Sequence, residues 1–514
     1  MRILTLKSNK VIITVYVVIS LITTFSIYKD YGISTDEVVQ RGTAKINMAY
    51  VTNKNKSLKT WVDRDYGVVF EAPLVILEEI FNWEKPGKDE RDIYAFRHLF
   101  TNLFYLIGGV FLFLLIDQLF NSKIYGILAL LLYTINPRIY AHSFINSKDI
   151  PLMVMFIICF YIFLKFIKKR NFKNILLMSF VSALLINIRI LGVLFPVAVI
   201  FYLLIFDCID FKFNLKKTFK DSFLYIIITL IFVYAFWPNL WSNPIDNFLK
   251  SFSNMSHFRH NPFELTYGEM IRSTDDNSYF FKWFFVSNPF LYLVYGCFGL
   301  ALLVVSVVKN KGEFLVNKQT RKIAFLGSFF VITIAIILIK NSVIYNSWRQ
   351  LFFLYPSFII FILFFIYFFK EKRIHNFLIL FLLVYQVFVL YKQIDIHPYQ
   401  TVYFNEFISS KKNYRAEQFK LDYWGHSYKE ALEKLVSIDK SKEIKVVFSG
   451  LIGFQNTKTL PLEDKIRIIR SENLDDADYF ISNNYLEAIK IDFKKRIFTI
   501  ERDNSSILSI YKLR

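Results

Sequence analysis

The chain has 514 residues, 54% of them hydrophobic and 19% aromatic, with 62 Lys and Arg against 42 Asp and Glu. That is too apolar for one soluble core, and the apolar residues fall in blocks of roughly 20, the length that crosses a hydrocarbon layer of about 30 Å. The formal charge of +20 does not mark a nucleic-acid binder, because the basic residues gather in short connections between apolar runs, where they act as a topology signal.

In chain order the apolar runs predict about eleven spans, near 10–28, 97–119, 123–137, 151–168, 174–187, 190–206, 222–237, 288–308, 323–340, 350–369 and 374–392. The first, VIITVYVVISLITTFSIY, follows Arg2, Lys7 and Lys10. It is too long for a signal-peptide core and no small-residue cleavage pattern follows, so it reads as an uncleaved span. The connections KFIKKRNFK, FKFNLKKTFKD, KNKGEFLVNKQTRK and KEKRIH all fall on the side of the N-terminus, which the positive-inside rule assigns to the cytoplasm. The opposite side then carries a first outer loop over 29–96, a turn over 138–150, a tight turn near 187–189, a loop over 238–287, a short one over 341–349 and the tail. Cys159, Cys208 and Cys297 lie in or beside spans, so neither a disulfide framework nor a cysteine metal site is expected.

The tail has another character. SYKEALEKLVSI has helical periodicity, with Ser427 and Glu430 spaced as a capping box. EIKVVFSG, ADYFISN and RIFTIERDNSSILSIYKL read as strands, the last as a hairpin turning at Asp503–Ser505. The expected division is a transmembrane domain over 1–392 and an extracytoplasmic α/β domain over 393–514. The fold class expected is mainly α, a polytopic membrane protein with a small α/β tail.

Candidate chemistry collects on the outer side. Asp36 and Glu37 stand just beyond the first span; they either open an amphipathic helix, with Thr35 or Asp36 as its N-cap, or hold a general base at the membrane surface. Arg138, His142, Lys148 and Asp149 share one short turn. Asp149 before Ile-Pro makes a good helix start and the cations can snorkel to head groups, yet together they also suit an anion. Arg189, between apolar neighbours, and Arg349, entering the tenth span, must each face a polar cavity or an acid. A guanidinium fork matches phosphate oxygens, so the pair suggests a lipid-phosphate pocket. WPNLWSNP reads as an aromatic anchor or a sugar-stacking surface. His397, Tyr399, Asp422, Tyr423 and Trp424 serve either acceptor recognition or docking of the tail. No His/Cys cluster, phosphate-binding glycine loop or serine nucleophile elbow is present in the sequence.

The acidic pair after the first span, the Lys-Asp turn and the late arginine, with PRIYAHSFINSKDIP, FWPNLWSNP, HPYQTVYFNE and DYWGHSYKEAL, resemble the GT-C polyprenyl-phosphate-sugar glycosyltransferases from about residue 30 to 435. The likeness is to protein O-mannosyltransferase-like and lipid A aminoarabinose-transferase-like proteins (glycosyltransferase family 39 and its relatives). It implies Asp36 as the base on the acceptor with Glu37 beside it, Arg138, Lys148 and Asp149 near the donor head group, and Arg349 on the lipid phosphate. One departure stands out. The relatives usually show Tyr-Asp-Gly-x-Arg-His around that arginine, where this chain reads YNSWRQ, with Asn346, Ser347 and Gln350 in place of the acid, glycine and histidine.

The chemistry expected is inverting transfer of a sugar from a polyprenyl-phosphate carrier to the hydroxyl of an acceptor (protein, lipid or glycan) at the cell membrane. No cofactor is required; a divalent metal could assist departure of the phosphate, but no dedicated ligand set for one is read from the sequence. A transporter or flippase of lipid-linked saccharides would also want outer cations, but it would place ionisable residues at mid-membrane depth. A receptor working through its tail leaves Arg189, Lys148 and Arg349 without a role.

Overall fold

The computed structural model describes residues 2–83, 85, 88–209, 215–256, 259–309, 317–488 and 495–514. Parts of the basic connections expected on the cytoplasmic side, 210–214 and 310–316, and the side chain of Cys208 lie outside the described residues. All eleven apolar runs are helical. Nine described helices are long and apolar enough to cross a membrane. The run at 123–137 is instead two helices, α5 (Lys123–Thr134) and α6 (Pro137–Ile145), meeting at 68°. The break falls where Asn136 accepts from the Ile139 amide and Pro137 opens the new helix. The run at 174–187 is a shorter helix, α8 (Phe172–Ile188).

At the centre stand α7 (Asp149–Lys168) and the run Arg349–Phe368, 78% and 83% of whose apolar windows are buried, whereas α1 (Arg2–Ile27) is 6% buried over its window and presents its sides outward. α4 (Arg91–Phe120) and α8 pack on α7. α9 (Leu194–Ile209) and α10 (Leu215–Phe236) follow, with α10 against α8. Farther along, α13 (Phe290–Lys309) lies against the helix Tyr355–Phe368. Their backbones nearly touch: a Cβ on Gly299 would stand 1.9 Å from the Phe361 carbonyl oxygen, so the crossing needs glycine there. The last two long helices are Lys318–Lys340 and Ile374–Asp395.

One face carries everything else. Between α1 and α4 lie α2 (Thr35–Val51) and α3 (Glu71–Ile80). After α10 come α11 (Pro244–Ser256), a two-stranded hairpin of β1 (Glu264–Thr266) and β2 (Glu269–Ile271), and α12 (Tyr279–Ser287). The tail builds a five-stranded mixed sheet in the order β4-β3-β5-β7-β6, from β3 (Ile444–Phe448), β4 (Ile468–Arg470), β5 (Tyr479–Ser482), β6 (Arg496–Arg502) and β7 (Ser505–Lys512). β3 runs parallel to β4 and β5, and β7 antiparallel to β5 and β6. The expected hairpin turns through Asp503 and Asn504, at φ 48° and 60°. β4 and the β1–β2 hairpin were not expected.

The capping box expected at Ser427 does not form. The Ser427 hydroxyl donates to Asp422, and Glu430 accepts from the Tyr399 hydroxyl at 2.7 Å. Tail and membrane helices are continuous. A Cβ on Gly32 would lie 2.1 Å from the His426 carbonyl oxygen, and Asn456 donates to the Ile33 carbonyl and accepts from its amide at 3.0 and 2.9 Å.

Candidate active site

The site begins at the N-terminus of α2. Its N-cap is Ser34, not Thr35 or Asp36: the Ser34 hydroxyl accepts from the Glu37 amide, and Glu37 reaches back to accept from the Ser34 amide at 2.8 Å. That box consumes Glu37, whose other oxygen lies 3.0 Å from His98 Nε2 on α4. Glu37 is therefore buried structure, separated from Asp36, whose side chain keeps 21% exposure. The helix is locked in place by charge. Arg41 pairs with Glu78 at 2.8 Å, and Arg97 pairs with Glu78 at 2.6 Å and with Glu71. Burial pushes the Glu71 carboxyl up, with Arg97 opposing. The Ser34 hydroxyl also donates to the Ile145 carbonyl at 2.8 Å, joining α2 to α6.

The second element is the link between α6 and α7. Asn146 organises it: its Oδ1 accepts from the amides of Lys148 and Asp149 at 3.2 and 2.8 Å, and its Nδ2 contacts Asp149 Oδ2 and His142 Nδ1, each at 3.1 Å. With the helix start served by Asn146, the Asp149 carboxylate is released for other work. It accepts from Arg189 Nη1 at 2.6 Å and from Arg349 Nη1 at 2.8 Å. It thus aligns two arginines. The Lys148 ammonium lies 3.6 Å from the centroid of the Tyr66 ring, a cation–π contact. It has no hydrogen-bond acceptor among the described residues. Burial pushes Lys148 down from the ordinary lysine range, with Asp36 opposing.

Arg349 closes the cluster. Its Nη1 lies 3.1 Å from Asp36 Oδ2, as well as 2.8 Å from Asp149 Oδ2. The guanidinium is stacked between Trp424 and Tyr345, at 4.7 and 5.1 Å. Its Nε and Nη2 are buried and have no hydrogen-bond partner among the described residues. The turn that presents it is left-handed at Asn346 and Ser347, φ 56° and 68°. Both amides are held from the neighbouring loop: Asn346 donates to Glu264 at 2.7 Å, and Ser347 to the Tyr279 hydroxyl at 3.2 Å. The departures in YNSWRQ are thus met by Glu264, which burial pushes up from the usual carboxylate range.

Asp36, Lys148, Asp149, Arg189 and Arg349 come together; other candidates do not join them. Arg138 donates from Nε to the Tyr403 carbonyl at 2.9 Å and lies over Phe404 and Trp283 at 4.9 and 5.4 Å, where it fastens the tail. His142 faces the Tyr423 hydroxyl at 2.9 Å. His397 pairs with Asp30 at 2.8 Å and so seats the tail beside the end of α1, whereas Tyr399 pairs with Glu430 and Asp422 with His426 at 3.0 Å inside the tail itself. Trp424 does both, packing on Arg349 while its carbonyl accepts from Thr35. Trp237 and Trp241 end α10; the first is buried and the second donates to the Tyr234 carbonyl at 2.8 Å. Sequence reasoning missed Tyr66, Asn146, Glu264 and the Glu71–Arg97–Glu78 lattice; charged residues in α3 and in an otherwise apolar span were the signal available. Among the described residues no group of three or more His, Cys, Asp or Glu is placed to hold a metal ion.

Residues 92–241 match the family model described as dolichyl-phosphate-mannose-protein mannosyltransferase. No curated protein matches the chain. Among solved structures, the apo form of ArnT from Cupriavidus metallidurans aligns over 98% of both chains at 10% identity with a TM-score of 0.50. The same ArnT, described as bound to undecaprenyl phosphate, aligns over 97% of both at 10% identity with a TM-score of 0.48. Segment 92–241 thus carries the mannosyltransferase family pattern and the chain as a whole has the GT-C fold of ArnT, the resemblance first drawn from its motifs.

Proposed function

We propose that the protein is an inverting glycosyltransferase that moves a sugar from a polyprenyl-phosphate carrier to an acceptor hydroxyl on the extracytoplasmic face of the membrane. The observation that carries this reading is the single guanidinium of Arg349, within 3.1 Å of Asp36 and 2.8 Å of Asp149, with two further donors unspent. A polyprenyl-phosphate sugar carries one negative charge, and its carrier gains a second as the glycosidic bond breaks. Cations fixed where that charge develops bind the transition state more strongly than the donor. Arg349 Nε and Nη2 and the Lys148 ammonium are the groups assigned to the phosphate, with Arg189 held behind them by Asp149.

Asp36 is the proposed base. In the resting protein it shares Arg349 Nη1 with Asp149; an arriving phosphate competes for that guanidinium and leaves the carboxylate to take the acceptor proton. Attack on the anomeric carbon from the face opposite the carrier inverts its configuration. Activation resides in the carrier, so the proposed step calls for no nucleotide or other cofactor. The side assignment is supported by the basic connections in the sequence, which the positive-inside rule assigns, with the N-terminus, to the cytoplasm. The carrier class agrees with the undecaprenyl phosphate described for ArnT.

The test is incubation of the purified protein with a panel of polyprenyl-phosphate sugars, with release of the carrier phosphate read by mass spectrometry. Wild type is expected to release carrier from one of them and Asp36→Asn to bind that donor without turnover. Normal turnover by Asp36→Asn removes the proposed base.

A further inference from the structure

A second cavity, of about 430 Å³, opens between the tail-side end of the helix Ile374–Asp395 and the tail, and none of the five clustered residues lines it. Its wall holds two cations, Lys392 and Arg415, and two carboxylates, Glu406 and Asp503. Lys392 Nζ lies 3.4 Å from Asp503 Oδ1, and Arg415 donates to the other oxygen of Asp503. Glu406 is exposed and accepts from the Tyr385 hydroxyl at 2.6 Å. Two buried polar atoms on lining residues, Arg415 Nε and the Tyr403 hydroxyl, have no hydrogen-bond partner among the described residues, although these residues are only 5% and 3% exposed. Folded proteins rarely leave such groups without an acceptor.

The mouth is apolar. Phe388 and Phe407 line it at 40% and 60% exposure, Phe407 packed 4.1 Å from Phe290 of α13. The exposed face of the helix, through Val384, Val387 and Tyr391, runs straight up to it. An apolar surface of a membrane-spanning helix that ends in a charged hollow has the form of a phospholipid site, chains outside and head group within. The wall charges cancel. A purely anionic head group would set its phosphate against Glu406, whereas one that carries both signs satisfies the two cations and the exposed carboxylate together.

We propose that this cavity holds the head group of a zwitterionic phospholipid bearing a primary ammonium, its phosphodiester toward Lys392, Tyr403 and Arg415 and its ammonium toward Glu406. The site is independent of the transfer reaction and stands whether or not that reading does.

Native mass spectrometry of the full chain in detergent, offered equal amounts of phosphatidylethanolamine, phosphatidylglycerol and phosphatidylcholine, reads the proposal directly. Phosphatidylethanolamine adducts are expected to exceed the others by roughly tenfold, the scale of one hydrogen bond to a charged group. Glu406→Gln is expected to abolish that preference while phosphatidylglycerol still binds, and Lys392→Met to lower all adducts about tenfold. Both side chains are at least partly exposed, and elution as a single species checks that the variants fold. Equal binding of the three lipids by wild type, or an unchanged preference in Glu406→Gln, overturns the proposal. Displacement of the lipid by millimolar inorganic phosphate would reassign the cavity to a free anion and overturns it equally.

Discussion

Two charged lattices lie within one face of this protein and are built to different ends. In the lattice of α2, α3 and α4, each guanidinium meets carboxylate: Arg41 with Glu78, and Arg97 with Glu78 and Glu71. In the cluster at the ends of α7 and α8, the cations Lys148, Arg189 and Arg349 face the carboxylates Asp36 and Asp149, which leaves one positive charge over. Arg349 keeps two donors without partners, and Lys148 rests on a ring face. The first lattice is closed in charge and fixes geometry, although Arg97 Nε also lacks a hydrogen-bond partner among the described residues; the second carries one positive charge in excess, which on the proposed reading matches a phosphodiester. Burial makes both costly, and on the proposed reading the excess charge of the second serves the reaction rather than stability.

The sharpest way to separate them is to remove one group from each. Asp36→Asn should lower carrier release by about 100- to 10,000-fold, the usual contribution of a positioned base, with folding and donor binding intact in thermal-shift and binding assays. Arg349→Ala should lower turnover by roughly 100- to 1,000-fold, as for loss of one donor to a developing anion. Arg349→Lys should recover little of it, because a point charge does not replace the fork. In the closed lattice, Arg97→Ala leaves Glu71 and Glu78 buried without their shared cation and should cost about 3–5 kcal/mol of stability. It should appear as lost folded protein, while the turnover of any molecule that folds falls far less than in Asp36→Asn.

Smaller effects sharpen the contrast. Burial lowers the pKa of Lys148, so its charge is present below that value and is lost as pH rises through it, earlier than for an ordinary lysine. Donor binding should therefore weaken on the alkaline side, and Lys148→Arg, charged throughout, should move that limb to higher pH in a binding titration. Smallest of all, Ser34→Ala removes the cap of α2 and should cost about 1 kcal/mol. A modest fall in turnover should accompany it, because Asp36 stands two residues into the capped segment.

Much of this was legible in the residues. Runs of apolar side chains long enough to span are a local property, and all of them became helices. Of the five clustered charges, Lys148, Asp149, Arg189 and Arg349 were singled out from a short turn or an apolar flank, and Asp36 from its place just beyond the first span. Long-range pairing carries no period, and there the sequence was silent. Nothing near Arg138 announced that the Tyr403 carbonyl, 265 positions away, would take its Nε–H. Glu37 looked equal to Asp36 until Ser34 drew it into a capping box. Glu264 lies in an outer loop with no motif, yet it fixes the turn that presents Arg349.

The most direct measurement is the affinity of a polyprenyl phosphate for wild type and for Arg349→Ala in detergent. If the uncompensated charge is the seat of the carrier phosphate, the variant should bind at least tenfold more weakly, the scale of one charge-assisted hydrogen bond. Equal affinity would contradict the account.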